Sequence, residues 1–301
     1  MGKGLTCPGG LIEDEDAGGP ADSSVPQRQR KRWIGQAMWQ CRDREGFSLV
    51  ETLVVVSTTA LLLSLLLPSL QTARQQAQRA SCQSNLRQMA VAAHSYGSIY
   101  DEHYPLAYYN RQEGGVVRFH SWDFTAWKEW SGGSATTHVR AGLLWAGQGV
   151  AKVQQCPAFK GVSNTAADPY TGYNYNTSYI GLIDTLSPVD SARITDVDRP
   201  AETALFGDGQ CPAGGANKYM RAPFAHPGDT LLPDTARCAG AQGYRHLRQT
   251  NVAFCDGHAG PWHEIHTETD PAGEKALEAH NAQGDVRIGF LSPNNDIYDL
   301  K

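Results

Sequence analysis

The sequence predicts an α+β protein in which one long N-terminal helix is followed by a largely antiparallel β-sheet. Three observations support this fold class. Residues Phe47 to Leu67 form one apolar run, and Leu86, Met89, Ala90 and Ala93 extend it with the i, i+3, i+4, i+7 spacing of a helix. Later in the chain, Asp-Gly pairs stand between short apolar segments, which is a strong hairpin signal. The helix is therefore expected to end near Gly97 and to pack on the sheet.

The apolar run is predicted to span a membrane. Its 21 positions would measure roughly 31 Å as a helix, about one hydrocarbon core. Between Arg28 and Glu45 six basic residues precede it against two acidic ones, which places the N-terminal flank in the cytoplasm. A cleaved secretory signal is disfavoured, because its apolar core would be about 7–15 residues long and followed by a small-residue site. The residues after Leu67 are thus expected outside the cytoplasm.

Glu51 is the unusual residue of this run. A carboxylate inside a membrane helix costs about 2.5–3.5 kcal/mol on insertion scales. An ordinary signal anchor fits the length and the flanking charge but leaves this acid unexplained. The sequence therefore predicts that another group offsets the free-energy cost of placing this carboxylate in the membrane.

The stretch GFSLVE, from Gly46 to Glu51, resembles the processing site of type IV prepilins and type II secretion pseudopilins. The resemblance implies that a membrane-embedded peptidase cuts after Gly46 and methylates the new terminus at Phe47. It also implies that Glu51 pairs with the N-terminal amine of a neighbouring subunit, which would relieve both charges. Pro68 stands where family members often carry a helix-kinking proline, and a proline removes one backbone hydrogen bond.

The resemblance divides the chain into three parts. Residues 1–46 are a cytoplasmic leader that cleavage removes, and Met38 is an alternative start. Residues 47–97 are a pilin-type helix, transmembrane over about 47–67. Residues 98–301 are an extracytoplasmic globular head. The expected fold is thus pilin-like.

The head contains a second signature. His246, nine intervening residues and then Asp256-Gly257 match the H-X9-DG element named for prepilin-type processing-associated proteins. The favoured interpretation is structural: Asp256-Gly257 form a tight turn between strands, and His246 hydrogen-bonds across the paired strands. The alternative is a site for calcium or another metal, with four nitrogen or oxygen ligands. Its ligands would be Asp208, His246, Asp256 and His258.

The strands and the loops of the head follow from turn residues. The stretch RPAETALFGDGQ predicts a short strand that ends at Asp208-Gly209, and Val252 to Cys255 predicts another that returns toward Trp262. A loop rich in tryptophan, with Trp122, Trp127 and Trp130, is expected before them.

Five cysteines follow the leader, and an odd number leaves at least one thiol unpaired. Cys211 and Cys238 bracket a segment rich in proline and glycine. A disulfide between them would close a loop of about 28 residues and contribute roughly 3–4 kcal/mol. The alternative is that all five are free, buried thiols.

The resemblance implies a structural subunit of a pseudopilus or pilus-like fibre, in type II protein secretion, held by one helix in the bacterial inner membrane. Its partners would be prepilin peptidase, other pilin-like subunits, the assembly machinery and the membrane. No catalytic motif of the Gly-x-Ser-x-Gly or His-Glu-x-x-His type occurs, so no enzyme activity and no cofactor are expected. A net charge of −5 gives no reason to expect nucleic acid. The alternative is a membrane-anchored binding domain whose clustered tryptophans and tyrosines contact ligands such as glycans.

Overall fold

The computed structural model describes residues 48–145, 152–163, 168, 170–182, 191–212, 214–226, 229 and 234–301. By its contacts the chain divides into two units, Met1–Val55 and Val56–Lys301. A long apolar helix and antiparallel sheets make up the architecture, so the predicted α+β class is confirmed.

Helix α1 covers Leu49–Gly97 and is continuous through Pro68. The bend expected at Pro68 stays a prediction. Its side chains are exposed over the whole apolar run, and burial begins only toward its C-terminal end. The buried positions confirm the predicted stripe and extend it back to Cys82; they are Cys82, Leu86, Met89, Ala90, Ala92, Ala93 and Gly97.

The central sheet has five strands: β5 (Asn174–Asn176), β6 (Ala204–Gly207), β7 (Tyr219–Met220), β9 (Thr250–Phe254) and β10 (Ala259–Trp262). Their order across the sheet is β10-β9-β6-β5-β7. Only β5 and β7 pair in parallel. Every residue of β5, β6 and β9 is buried, because the stripe of α1 belongs to the same apolar core as these strands. The strands predicted from the Asp-Gly signals are confirmed.

The hairpin between β9 and β10 turns at Asp256-Gly257. Gly257 has a φ of +90°, a backbone conformation that glycine adopts without steric cost. The Phe254 amide donates to the His258 carbonyl at 2.9 Å and closes the turn. The tight turn expected for this half of the H-X9-DG element is therefore present.

The predicted tryptophan-rich loop is wrong, because this region forms a four-stranded antiparallel sheet. Its strands are β1 (Tyr108–Glu113), β2 (Val116–Ser121), β3 (Phe124–Ser131) and β4 (Ser134–Ala141). Two Gly-Gly pairs make the tight turns, Gly114-Gly115 between β1 and β2 and Gly132-Gly133 between β3 and β4. All four glycines have positive φ, as a two-residue hairpin turn of this kind requires.

Three further elements were not predicted. Helix α2 covers Pro271–Gln283, and strands β8 (Gln242–Gly243) and β11 (Ile288–Gly289) pair antiparallel beside it. Asp270 caps α2, since its carboxylate accepts the amide of Ala272 at 2.9 Å and that of Gly273 at 3.1 Å. An Asp-Pro start followed by helix formers was the available signal.

Candidate functional site

The first candidate site is the N-terminal end of α1, where Ser48 and Glu51 form a reciprocal capping box. The Ser48 amide donates to Glu51 Oε2 at 2.8 Å, and the Glu51 amide donates to Ser48 Oγ at 3.1 Å. Each side chain thus satisfies a backbone donor that a helix start leaves open. Glu51 therefore has a local structural role that the sequence reasoning missed, although Ser-x-x-Glu is a known signal. Gly46 and Phe47 lie outside the described residues.

The apolar surface of α1 is the second feature. Large aliphatic side chains are more than half exposed all along the run, for instance Leu49 at 81% and Leu65 at 70%. The most apolar window of this helix has a mean hydropathy of 2.2, and none of it is buried against the rest of the protein. By length and composition the helix could cross a membrane, which is compatible with single-pass anchoring.

The third feature is a buried polar cluster at the junction of α1 with the central sheet. Cys82 begins the buried stripe of α1, Cys156 follows a short 3-10 turn, Asp208 directly follows β6, and His246 precedes β9. All four are at most 1% exposed. The two Sγ atoms are 3.1 Å apart, Cys156 Sγ is 3.7 Å from His246 Nε2, and this nitrogen is 3.3 Å from Asp208 Oδ2.

Arg245 and Asn251 complete this cysteine cluster. The Arg245 Nη1 atom lies 3.6 Å from Cys156 Sγ and 3.4 Å from Asp208 Oδ1. Asn251 donates to Asp208 Oδ2 twice, from its backbone amide at 2.8 Å and from Nδ2 at 3.1 Å. The Asp208 carboxylate is thus bound on both oxygens within the protein.

The cluster changes the acidity of its members. Burial disfavours a thiolate, but the hydrogen bond from Cys82 and the charge of Arg245 outweigh it and lower the pKa of Cys156 to about 5. Burial likewise disfavours an imidazolium, yet the hydrogen bonds to Asp208 and Cys156 raise the pKa of His246 to about 9. The hydrogen bond to Cys156 raises the pKa of Cys82 above its usual range, and burial of the thiol raises it further. At neutral pH the cluster therefore holds a Cys156 thiolate beside a protonated His246.

These four side chains could bind one metal ion, because their donor atoms all lie within 4.8 Å of one another. Two features oppose a cation there. The Asp208 oxygens already accept from Asn251 and Arg245, and the Arg245 guanidinium places a positive charge next to Cys156 and Asp208. The Arg245 guanidinium and the protonated His246 already balance the negative charges of Cys156 and Asp208. The arrangement is accordingly suited to thiol chemistry.

The structure brings together only two of the four residues in the predicted metal set. Asp208 and His246 meet in the cysteine cluster. Because Asp208 follows β6, His246 precedes β9 and these two strands are paired, the contact partly fits the cross-strand hydrogen bond expected for His246. Asp256 and His258 instead pair with each other at the β9–β10 turn, where Asp256 Oδ1 is 2.6 Å from His258 Nδ1 and both are partly exposed. The four residues therefore do not converge as a metal set.

Cys82 and Cys156 were not predicted as site residues, because 74 positions separate them and no local motif joins them. Extending the helical stripe one turn back from Leu86 was the signal that could have placed Cys82 on the buried face. All five cysteines of the described residues have free thiols in the structure. The pairing of Cys211 with Cys238 stays a prediction.

Two further buried ion clusters lie among the residues after Ala107 that the structure describes. The Lys218 ammonium contacts the carboxylates of Asp123 and Asp168, the latter at 2.7 Å. The Asp229 carboxylate contacts both Arg221 and Arg237, the latter at 2.5 Å. All of these side chains are at most 4% exposed, so we assign them to the stability of the head.

Comparison with known proteins gives one family match. Residues 71–127 match the model of a family described as "Protein of unknown function (DUF1559)", a family of bacterial prepilin-like proteins. The matched segment runs from the middle of α1 into β3 and includes Cys82. No curated protein and no solved structure matches the chain. Together with the long apolar helix, the match is compatible with a pilin-like protein.

Proposed function

We propose that this chain is a prepilin-like structural subunit, cleaved after Gly46 and methylated at Phe47, that assembles into a pseudopilus or pilus-like fibre in type II protein secretion. Before assembly it is held in the bacterial inner membrane by α1, with its N-terminus in the cytoplasm and its head in the periplasm. Its partners are prepilin peptidase, other pilin-like subunits and the assembly machinery.

The uncovered apolar surface of α1 is the observation that carries this proposal. Burying apolar surface yields about 25 cal/mol per Å², so a surface that the protein itself leaves uncovered favours lipid or neighbouring helices. Two hydroxyls in the middle of the run bond within the helix: Thr59 Oγ1 donates to the Val56 carbonyl at 2.9 Å and Ser64 Oγ to that of Leu61 at 2.7 Å. The surface offered to lipid is therefore apolar, apart from Glu51 at one end.

Glu51 fits both membrane insertion and assembly. The capping bond uses one carboxylate oxygen, Oε2, while a carboxylate offers about four lone-pair sites. A methylated amine of a neighbouring subunit could thus bind the same group without breaking the cap. In lipid such a pair relieves two charges at once, which favours packed helices over isolated ones.

The intact mass of the membrane-extracted protein tests the processing step. In cells with prepilin peptidase we expect a chain that begins at methylated Phe47, and in cells without it the uncut chain. A Gly46→Val variant should stay uncut, whereas the control Gly35→Ala, in the same leader, should be processed normally. An uncut chain in peptidase-competent cells would contradict the proposal.

A second candidate function is a membrane-anchored head that binds glycans, and one surface favours it. An open groove on the β1–β4 sheet is lined by two exposed aromatic residues, Trp130 at 75% and Phe119 at 40% exposure. Exposed aromatic faces of this kind can stack on sugar rings. The groove is lined by Gly115, Val116, Val117, Phe119, Lys128, Glu129, Trp130 and Ser131.

A glycan array probed with the detergent-solubilised chain tests this second function. Binding that is lost in Trp130→Ala but kept in Phe224→Ala, an exposed aromatic outside the groove, would support it. An array without signal for the native chain would exclude the glycans on it as ligands.

A further inference from the structure

We propose that Cys82 and Cys156 form a disulfide that joins α1 to the head, with an extracytoplasmic protein disulfide as the oxidant. The proposal rests on the proposed placement of the head outside the cytoplasm, where disulfides form and persist. This pair is different from Cys211 and Cys238, the pair for which the sequence predicts a disulfide.

Proximity is the first argument. The two sulfur atoms are 3.1 Å apart. Non-bonded carbon atoms are most stable at about 3.5–4.0 Å, and sulfur is larger than carbon, so the contact is closer than ordinary packing. Cys255 is just as buried, and its thiol lies beside Tyr104. Cys255 is therefore a matched control for burial.

Charge is the second argument. The Arg245 guanidinium and His246 both contact Cys156, at 3.6 and 3.7 Å, and these positive neighbours stabilise a Cys156 thiolate. A thiolate is the species that attacks a disulfide, and Cys82 stands where a second thiol would resolve the mixed disulfide. The cluster thus contains an attacking sulfur and a resolving sulfur in contact.

The exchange balances as two successive displacements. The Cys156 thiolate attacks one sulfur of the oxidant disulfide, which forms a mixed disulfide and releases the other sulfur as a thiolate that takes up a proton. Cys82 then loses its proton and attacks Cys156 Sγ, which forms the Cys82–Cys156 bond and releases the second oxidant sulfur. Two electrons and two protons pass to the oxidant, which leaves as a dithiol. Because both sulfurs are fully buried in the packed protein, the oxidant reaches Cys156 while α1 is detached from the sheet, and the return of α1 then brings Cys82 against the mixed disulfide.

The same neighbours make this disulfide easy to reduce. Groups that stabilise the thiolate stabilise the reduced form, which shifts the equilibrium away from the disulfide. Removing the charge of Arg245 should therefore favour the oxidised form. In Arg245→Gln, we expect the glutathione ratio at half-oxidation, [GSH]²/[GSSG], to rise at least about tenfold, because the thiolate of the reduced form loses a charged hydrogen-bond donor.

The test uses the full chain, purified in detergent and equilibrated in glutathione buffers, then acid-quenched and alkylated. In oxidising buffer we expect an intact mass lower by two hydrogen atoms and one cross-linked peptide pair that contains Cys82 and Cys156. The control Cys255→Ala should keep the cross-link, and Cys82→Ala and Cys156→Ala should lose it. If Cys82→Ala and Cys156→Ala do not fold, the mass and the cross-linked peptides of the native chain test the proposal by themselves.

Three results would overturn the proposal. They are alkylation of both Cys82 and Cys156 in oxidising buffer, a cross-link of either one to a different cysteine, and stoichiometric zinc in native mass spectrometry with both thiols reduced. Glutathione supplies the oxidant in this experiment, so its outcome does not depend on where the head lies in the cell. Reporter fusions at Lys301 test that location separately, and a cytoplasmic reporter would contradict the proposed function instead.

Discussion

At the scale of single residues, Glu51 has a capping role in the structure beside the assembly role that the resemblance implies for it. The resemblance to prepilins implies a charge that a neighbouring subunit neutralises. The structure adds a local partner, because Ser48 and Glu51 satisfy each other's backbone amides. A loss of assembly in a Glu51→Ala variant would therefore have two explanations.

Two substitutions separate these roles. Glu51→Gln keeps a capping side chain but removes the charge, so we expect normal cleavage and at least a tenfold loss of incorporation into fibres. Ser48→Ala keeps the charge and weakens the cap, which costs about 1 kcal/mol at a helix start and should leave incorporation unchanged. Quantitative immunoblots of sheared fibres measure both. The opposite pattern, with assembly lost only in Ser48→Ala, would show that the cap is what matters.

The Cys156–His246 pair predicts how the folding stability of the reduced protein changes with pH. In the folded state Cys156 loses its proton near pH 5 and His246 near pH 9, against unfolded values of about 8.5 and 6.5. Between about pH 6.5 and 8.5 the folded thiolate–imidazolium pair and the unfolded neutral pair bind the same number of protons, so this contribution to stability is constant.

Outside this window the contribution is lost on both sides. From pH 6.5 down to 5 the unfolded pair binds more protons, so stability falls as the pH falls. Above pH 8.5 the folded pair binds more protons until His246 titrates near pH 9, so stability falls as the pH rises. Urea midpoints of the native chain and of Cys156→Ser, measured with reductant across this range, check the profile. A difference between them that slopes steadily through neutral pH would contradict it.

At the scale of elements, periodicity and turn chemistry predicted the helix and the β9–β10 hairpin. The stripe from Leu86 to Ala93 is local, and so is the Asp256-Gly257 turn, which is why sequence reasoning could find both. The β1–β4 sheet was not predicted, because its sequence signal lies in the Gly114-Gly115 and Gly132-Gly133 turns and not in the tryptophans of its strands. The cysteine cluster could not be predicted from spacing, since its members come from separate elements that only the folded core brings together.

Helix α2 gives a prediction about capping. Asp270 accepts two amides at the start of α2, so Asp270→Ala should destabilise the protein by about 1 kcal/mol. Asp285→Ala changes an exposed aspartate beyond the other end of α2 and serves as the control, with an expected change within about 0.5 kcal/mol. Urea midpoints of the two variants measure the difference, and equal midpoints would contradict the capping role.

At the scale of the whole molecule, paired charges stabilise the buried interior of the head. Asp229 neutralises two buried arginines, Arg221 and Arg237. We expect Asp229→Ala to cost roughly 3–5 kcal/mol, because it leaves both guanidinium groups buried without that carboxylate. Glu202→Ala removes an exposed partner of Arg199 and should cost at most about 1 kcal/mol. Comparable unfolding midpoints for the two variants would contradict the role of Asp229.

The wide sequence separation of the cysteine cluster also sets the order of events during synthesis. Cys82 is made long before His246 and before β9, on which the buried stripe of α1 depends. At about 5–20 residues per second, the roughly 150 residues between Gly97 and Thr250 take on the order of 10–30 s. During this time the apolar stripe has no sheet to cover it. The C-terminal half of α1 is thus among the first apolar surfaces to be translated and among the last to be covered.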